Sequence, residues 1–428
     1  MKKVVKFGGT SLADAGQIRK AAEIIKADPS RKYVVVSAPG KRSKEDIKVT
    51  DLLYSHAFDK VKERFDEIIK ELGISLNLDK EYAEIEKNVT GGCTDAYLAS
   101  RGEYLNGLVI SAYLGFEFVD PKDAVFFKSS GMLNAKKTNS ELRKRLAKVE
   151  YAVIPGFYGR NQDGKIVTFS RGGSDVTGSL VAKGLKADMY ENWTDVSGFL
   201  VADPRIVDNP EVIETITYEE LRELAYMGAG VLHEDAFYPV RNEGIPIHIL
   251  NTNKPEDSGT MIVESTVKSS PYTITGIAGK KGFCAINIDK PMMNSEIGFC
   301  MKVLKVFSDN NISIEHMPSG IDTMSVFVHQ SEFESHEQQV IAGIHRAVAP
   351  NSVVMDAGIA LIAVVGRGMK STHGTAGRIF SSLAHAGVNI KMIDQGSSEL
   401  NIIIGVDDKD FETAIKAIYD IFVNTQIK

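Results

Sequence analysis

Lys6 closes a short β-rich run and is followed directly by Gly8-Gly9-Thr10-Ser11. Bare glycines let a phosphate approach the backbone, and a helix starting behind them offers unpaired N–H groups and a positive dipole end. Lys6, fixed at the strand end, adds a point charge for the same phosphates. The order differs from GxxxxGK[ST], in which the lysine follows the glycines. By itself the pattern also describes an ordinary strand-to-helix turn.

Four further clusters fall at the ends of predicted strands, where ligands bind in open α/β sheets. Ser37-Ala38-Pro39-Gly40 leads through a basic stretch to Thr50, which either caps a helix or offers its hydroxyl to a small substrate. Gly102 interrupts a helical pattern at a cost of about 1 kcal/mol against alanine, so something must pack or pass closely there. Its neighbour Glu103 is either a surface carboxylate or the receptor for a cation such as an amine. In Ser170-Arg171-Gly172-Gly173-Ser174-Asp175, Arg171 can grip a carboxylate through two parallel hydrogen bonds. Ser174 or Asp175 would also make a good N-cap. Thr194 and Asp195 end a strand, where they can meet a nucleotide or its magnesium-bound phosphates. Arg205, held by the Asp203-Pro204 turn, can neutralise phosphate charge.

Alternating elements carry these clusters. Strands are predicted over 3–7, 33–37, 151–154, 188–192 and 246–250, with helices over 12–26, 94–114, 139–148, 175–185 and 218–226. Such alternation implies a mostly parallel sheet covered by helices on both faces. The charged helical stretch 59–88 reads as a solvent-facing insertion rather than core. Polar breakers at 251–259 and 268–271 bracket a domain boundary.

Beyond that boundary the chain repeats itself at an offset of 76 residues. Gly282 matches Gly358, Gly298 matches Gly374, Gly320 matches Gly396, and Val326-Phe327-Val328 matches Ile402-Ile403-Ile404. Each copy reads strand, loop, helix, strand, turn, strand, helix: a βαββαβ unit occurring twice.

Length and composition limit the rest. At 428 residues, with 43% hydrophobic and 25% charged, the chain has material for several domains with large cores. A net charge of −6 leaves no basic surface for nucleic acid or anionic membrane. Cys93, Cys284 and Cys300, with the nine histidines, show no metal-ligand spacing, and so sparse a cysteine count fits a reducing compartment. No apolar run approaches the ~20 residues of a membrane span. The start lacks a secretory pattern. A cytoplasmic protein is expected.

Lys6-Phe7-Gly8-Gly9-Thr10-Ser11, Arg171-Gly172-Gly173-Ser174-Asp175 and Thr194-Asp195-Val196 to Asp203-Pro204-Arg205 resemble, in this order and at these separations, the motifs of aspartokinases. The paired βαββαβ tail is similar to that family's ACT domains. The resemblance implies an amino-acid kinase fold over 1–260 and ACT-like units over 272–350 and 351–428. It implies ATP-dependent, magnesium-assisted phosphorylation of the L-aspartate side chain to 4-phospho-L-aspartate, opening lysine, threonine and methionine biosynthesis. Catalysis would fall to Lys6, Arg171 and Asp175, and aspartate to Thr50, Glu103, Arg171 and Ser174. The nucleotide would go to Lys6, Gly8, Gly9, Ser11, Thr194, Asp195, Arg205, Gly230 and Val231, with magnesium held through its phosphates rather than by the protein. Allosteric contacts would come from Met293, Ser295, Glu296, Gly298, Ser319, Asp322 and Thr323. They would bind lysine, threonine or both between ACT-like units of a homodimer.

The chain departs from the family pattern twice. Gly230 stands where Ala-Lys-Val-Leu-His-Pro has its lysine, leaving backbone contacts from Gly230 and Val231, and Leu200 replaces a tyrosine. The rival readings are a catalytically silent amino-acid sensor and a kinase acting on a glutamate-type substrate. No fused homoserine dehydrogenase is expected.

Overall fold

The computed structural model describes residues 1–170, 172–230, 234–266 and 272–425. The chain forms two compact units. The first comprises Met1–Phe199, Val212–Leu221 and Gly230–Val267, and the second Leu200–Glu211, Arg222–Ala229 and Lys268–Lys428.

Strands of the first unit are β1 (Lys3–Phe7), β2 (Arg31–Val36), β3 (Glu117–Phe118), β4 (Ala152–Pro155), β5 (Tyr158–Arg160), β6 (Ile166–Thr168), β7 (Met189–Thr194), β8 (Thr215–Thr217), β9 (Ile247–Asn251) and β10 (Thr260–Val263). Eight of them make one sheet in the order β3-β4-β2-β1-β7-β9-β10-β8, and β5 and β6 form a separate hairpin. Every pairing from β3 across to β9 is parallel, and the sheet turns antiparallel only between β9 and β10. Val4, Val5, Phe7, Val34, Val35, Val36, Val153 and Ile154 are all fully buried. Successive side chains point to opposite faces, so burial of consecutive residues requires cover on both.

The helices of the chain up to residue 241 are α1 (Ala15–Ala27), α2 (Val49–Tyr54), α3 (Phe58–Leu72), α4 (Asp79–Thr90), α5 (Asp95–Leu114), α6 (Ala135–Leu146), α7 (Gly173–Leu185), α8 (Tyr218–Tyr226) and α9 (Glu234–Arg241). The insertion expected to face solvent does not. Val61, Phe65, Ile68 and Leu72 of α3, with Tyr82 and Ile85 of α4, join one buried cluster with Val34, Val36, Leu105 and Val109. The high charge of 59–88 hid a narrow apolar stripe at helical spacing. Thr50 is not a cap either: Lys48 precedes α2 as its N-cap, and Thr50 is the second helical residue.

The second unit carries the repeat. Its strands are β11 (Gly276–Asp289), β12 (Thr323–His329), β13 (Ser352–Val365), β14 (Ile390–Asp394) and β15 (Asn401–Asp407), in one sheet ordered β12-β11-β13-β15-β14. Helices α10 (Phe299–Asp309), α11 (Gln330–Glu334), α12 (Glu337–Val348), α13 (Thr375–His385) and α14 (Phe411–Tyr419) accompany them. The matched glycines do matched work: Gly282 and Gly358 have φ of 90° and 69°, and Gly298 and Gly374, both at 79°, precede α10 and α13. One copy is incomplete. Where the second has β14, the first makes only isolated bridges, His316 to Phe327 and Ser319 to Met324. Pro318, lacking an N–H, interrupts that edge.

Phe65, fully buried on α3, tests the revised role of the insertion. Phe65→Ala is expected to cost about 3–5 kcal/mol, read as an earlier midpoint in denaturant. An unchanged midpoint would return α3 to solvent.

Candidate active site

The carboxyl ends of β1, β2 and β7 bring the predicted clusters together. β1 and β7 are neighbours in the register Lys6 to Asn192, so those two side chains leave the same face of the sheet. Lys6 Nζ lies 2.6 Å from Asp175 Oδ1 on the first turn of α7 and 3.4 Å from Asn192 Oδ1. Asn192 Nδ2 donates to the same Asp175 oxygen at 2.9 Å. Lys6 is 7% exposed, so this cation is removed from bulk water and fixed by two neighbours.

The glycine pair closes over the next strand. Gly8 N–H donates to Trp193 O at 3.0 Å, and Gly40 N–H to Gly9 O at 2.8 Å. A Cβ on Gly9 would stand 2.9 Å from Ala38 O, so the two loops can cross only on glycine. The expected helix behind the pair starts later than its sequence pattern suggests. Residues Thr10–Leu12 form a short 3-10 turn, and α1 begins at Ala15, its first turn capped by the Asp14 carboxylate. An acidic cap competes with a phosphate for that N-terminus. The helix start that meets Lys6 belongs to α7, where Gly172 at φ 67° is the N-cap without a side-chain partner. Ser174 and Asp175 therefore sit inside the first turn of α7 rather than capping it.

Glu103 is buried on α5, as no surface carboxylate would be. Burial pushes its carboxyl up to about 8, against the Ala38 N–H and the more distant Arg101 charge, which favour the ionised form. Its Oε2 has no partner among the described residues. Gly102 is the close approach its sequence context implied: a Cβ there would lie 2.8 Å from the Ala38 side chain. The absent methyl lets α5 bring Glu103 against the Ser37–Ala38 backbone.

Other predicted residues are placed less simply. Thr50 is half-buried on α2, and Ser174 is 9% exposed. Ser11 is buried, its hydroxyl accepting from Thr252 at 2.8 Å. Thr194 donates to Asp195 at 3.2 Å at the end of β7. Arg205 belongs to the second unit, 86% exposed at its side chain and held by Asp203 at 3.0 Å. Gly230 is exposed. Arg171 and Val231 lie outside the described residues. Sequence reasoning missed Asn192 and Asn106, whose Nδ2 donates to Ser37 O at 2.7 Å. Both are polar residues amid apolar ones, a signal that gains meaning only with the strand register and helix packing.

In the second unit the two proposed effector loops adjoin. Met292 N–H donates to Asp322 Oδ1 at 2.7 Å and Asn294 N–H to Ile321 O at 3.2 Å. Glu296 is occupied by Lys290 and by Lys302 at 2.6 Å, while Ser295 donates to Met292 O at 2.9 Å. Gly298 caps α10, Gly320 N–H closes the turn onto Thr323 O at 2.7 Å, and Ser319 bridges to Met324. Met293 is 4% exposed in the core with Phe299 and Val303, and Met292 is the methionine at the surface.

A mostly parallel α/β sheet with a lysine and glycine loops at its carboxyl ends defines a phosphate-handling class of protein. Comparison agrees and narrows it. Residues 1–251 match the amino acid kinase family and 362–422 the ACT domain. The chain is 39% identical to aspartokinase 3 of Bacillus subtilis over 98% of both chains. The crystal structure of Clostridium acetobutylicum aspartate kinase superposes with a TM-score of 0.90 at 47% identity, covering 99% of this chain and 100% of that one. The fold is also that of Escherichia coli aspartokinase III in complex with aspartate and ADP (TM-score 0.74, 23% identity, 98% and 99% covered). The chain belongs to the amino acid kinase family, and within it to the aspartokinases.

The Lys6–Asp175 pair predicts its own stability signature. Lys6→Met or Asp175→Asn alone is expected to cost about 3–5 kcal/mol, the scale for orphaning one partner of a buried pair. The double variant should recover part of that, with a coupling of about 0.5–3 kcal/mol in denaturant titrations. Strictly additive losses would mean the two charges do not interact.

Proposed function

We propose that the chain transfers the γ-phosphoryl group of ATP to the side-chain carboxylate of L-aspartate, giving 4-phospho-L-aspartate and ADP. This is the first step toward lysine, threonine and methionine. The observation that carries the reading is the buried Lys6 ammonium, 2.6 Å from Asp175, at the mouth of an aspartokinase sheet. An intact cluster of this kind disfavours a silent sensor.

The acceptor carboxylate has an ordinary pKa near ~3.9 and is already ionised at neutral pH, so no general base is needed. The obstacle is charge: two unit anions ~4 Å apart repel by ~4 kcal/mol at an effective dielectric near 20. The site must supply positive charge and in-line positioning. Lys6 and the glycine-loop N–H groups serve the phosphate side, and Gly230, Thr194 and Asp195 the rest of the nucleotide. Arg171 and Ser174 hold an aspartate carboxylate, with Thr50 at the mouth of the sheet. Asp175 orients Lys6 and is no proton acceptor, since an ammonium already occupies it.

Magnesium fits this donor set as an ion carried by the nucleotide. Among the described residues no group of three or more His, Cys, Asp and Glu could cage a metal. Magnesium binds phosphates, waters and one or two carboxylates rather than protein cages. Asp175 is the carboxylate in contact with Lys6, and the bound ion would neutralise charge developing on the phosphates.

Glu103 takes the aspartate α-ammonium. We assign control to an end-product amino acid, lysine first and threonine or both as the alternatives, bound at the ACT-like repeats of a homodimer. Met292, Ile297, Met301 and Ile321, 68–97% exposed around the adjoining loops, support an apolar surface that a second copy covers. No helix of the described residues is long and apolar enough to cross a membrane. Free Cys93, Cys284 and Cys300 support a reducing, cytoplasmic setting.

Two measurements test this. In an assay of ATP- and aspartate-dependent hydroxamate formation, Lys6→Ala is expected to lower kcat by about 100-fold or more while changing the aspartate KM far less. An intact kcat with a large KM defect would contradict a phosphate role. The second concerns the Glu103 proton. At pH 7 the free carboxyl, raised to about 8, is mostly protonated, and pairing with an ammonium expels that proton. Aspartate affinity should therefore rise with pH by up to about tenfold per unit below 8. Calorimetry in buffers of different ionisation enthalpy should count nearly one proton released at pH 7 and none for Glu103→Gln. A wild type that releases no proton would sink the assignment.

A further inference from the structure

Asn106 follows Glu103 by three residues on α5, so both side chains leave the helix on one face. Asn106 is fully buried. Its amide orientation is set by chemistry, because Nδ2 donates at 2.7 Å to Ser37 O, a carbonyl that can only accept. Oδ1 must then point elsewhere. Among the described residues it has no partner, and neither has Glu103 Oε2.

The two residues hold successive groups at the end of β2: Asn106 the Ser37 carbonyl, Glu103 the Ala38 N–H. Each spends one polar atom on the chain and leaves another unpartnered. Such buried atoms are costly unless a ligand completes them, and once an ammonium displaces the Glu103 proton both are acceptors. A single ammonium carries three N–H donors, more than one carboxylate oxygen can use.

We propose that Asn106 Oδ1 is a second acceptor for the α-ammonium of the substrate, beside Glu103 Oε2, so that the pair selects an amino acid over the same dicarboxylic acid without its amine. The inference rests on the reading of Glu103 given above. The neutral amide supplies a hydrogen bond without a second negative charge, which would push the Glu103 proton harder on. It also makes the discrimination depend on a donor in the ligand rather than on charge alone.

The experiment compares L-aspartate with succinate, which has both carboxylates and no amine. The aspartate KM and the inhibition constant of succinate against aspartate are measured on the full chain. Asn106→Leu, similar in volume, is expected to weaken aspartate by about tenfold or more, the scale of one hydrogen bond to a charged group. Succinate should stay within about twofold. Asn106→Ser, whose shorter hydroxyl withdraws from the site, should show the same selective loss and guards against a misfolded leucine variant. Asn106→Asp, which can donate to Ser37 O when protonated and still accept, should keep most of the preference for aspartate. Parallel losses for both ligands, or none for either, would overturn the proposal and leave Asn106 as a support for the Ser37 carbonyl. Glu103→Gln read in the same way separates the two claims. A selective aspartate loss there, with none in the Asn106 variants, overturns the Asn106 proposal alone. An unchanged aspartate constant in Glu103→Gln overturns the Glu103 reading and the Asn106 proposal together.

Discussion

A protein that joins two anions must store positive charge where neither anion has yet arrived. Here the buried cation at the sheet's carboxyl end is Lys6, nearly excluded from water and held by Asp175 at 2.6 Å. The parallel register of β1 and β7 supplies Asn192 on the same face, and the turn into α7 brings Asp175 back from about 170 residues along the chain. A buried ion pair is seldom a net source of stability, since desolvation offsets the attraction. Its value here is positional. The ammonium is held in one place by the fold, so its long side chain is already ordered.

The site sorts its carboxylates by environment. Asp175 has a cation within hydrogen-bonding distance and accepts from the Asn192 amide. Glu103, packed on α5 against the backbone after β2, is pushed up by burial and left with an open oxygen. Identical chemistry thus gives one carboxylate already partnered by a cation and one buried with an open oxygen. Gly102 is what allows the second arrangement. Any side chain there would hold α5 off Ala38, and Glu103 would relax toward water and lose its elevated proton affinity.

Part of this was legible in the sequence because the glycines and charges recur together at strand ends, where ligands bind in open α/β sheets. The five predicted strands and five predicted helices fall within a few residues of their expected places, since apolar runs and caps are local signals, whereas the short β3, β5, β6, β8 and β10 were not predicted. What failed to read was long-range. The stripe Val61-Phe65-Ile68-Leu72 was masked by charges between its members, and only packing shows which face is buried. The start of α1 was misread because Asp14, an ordinary acidic residue, outcompetes the glycines as a cap. Asn106 and Asn192 carry no pattern at all. Their roles come from which strand lies beside which, and a local sequence window holds no register.

The repeat in the second unit shows how duplication in sequence need not give independent modules in space. The first half of β11, from Gly276 to Lys280, pairs with the end of β13, whose other edge pairs with β15. The second half, from Phe283 to Asp289, lies between β12 and the beginning of β13. Each long strand therefore serves both copies, and Gly282 and Gly358, both at positive φ, stand where the service changes over. Neither copy could be lifted out without stripping an edge from the other. Residues 359–365 of β13 are all fully buried, so the shared strands are also the core. Two interleaved halves share one sheet, whose main-chain ladders cannot slip by a single residue without turning the buried face outward.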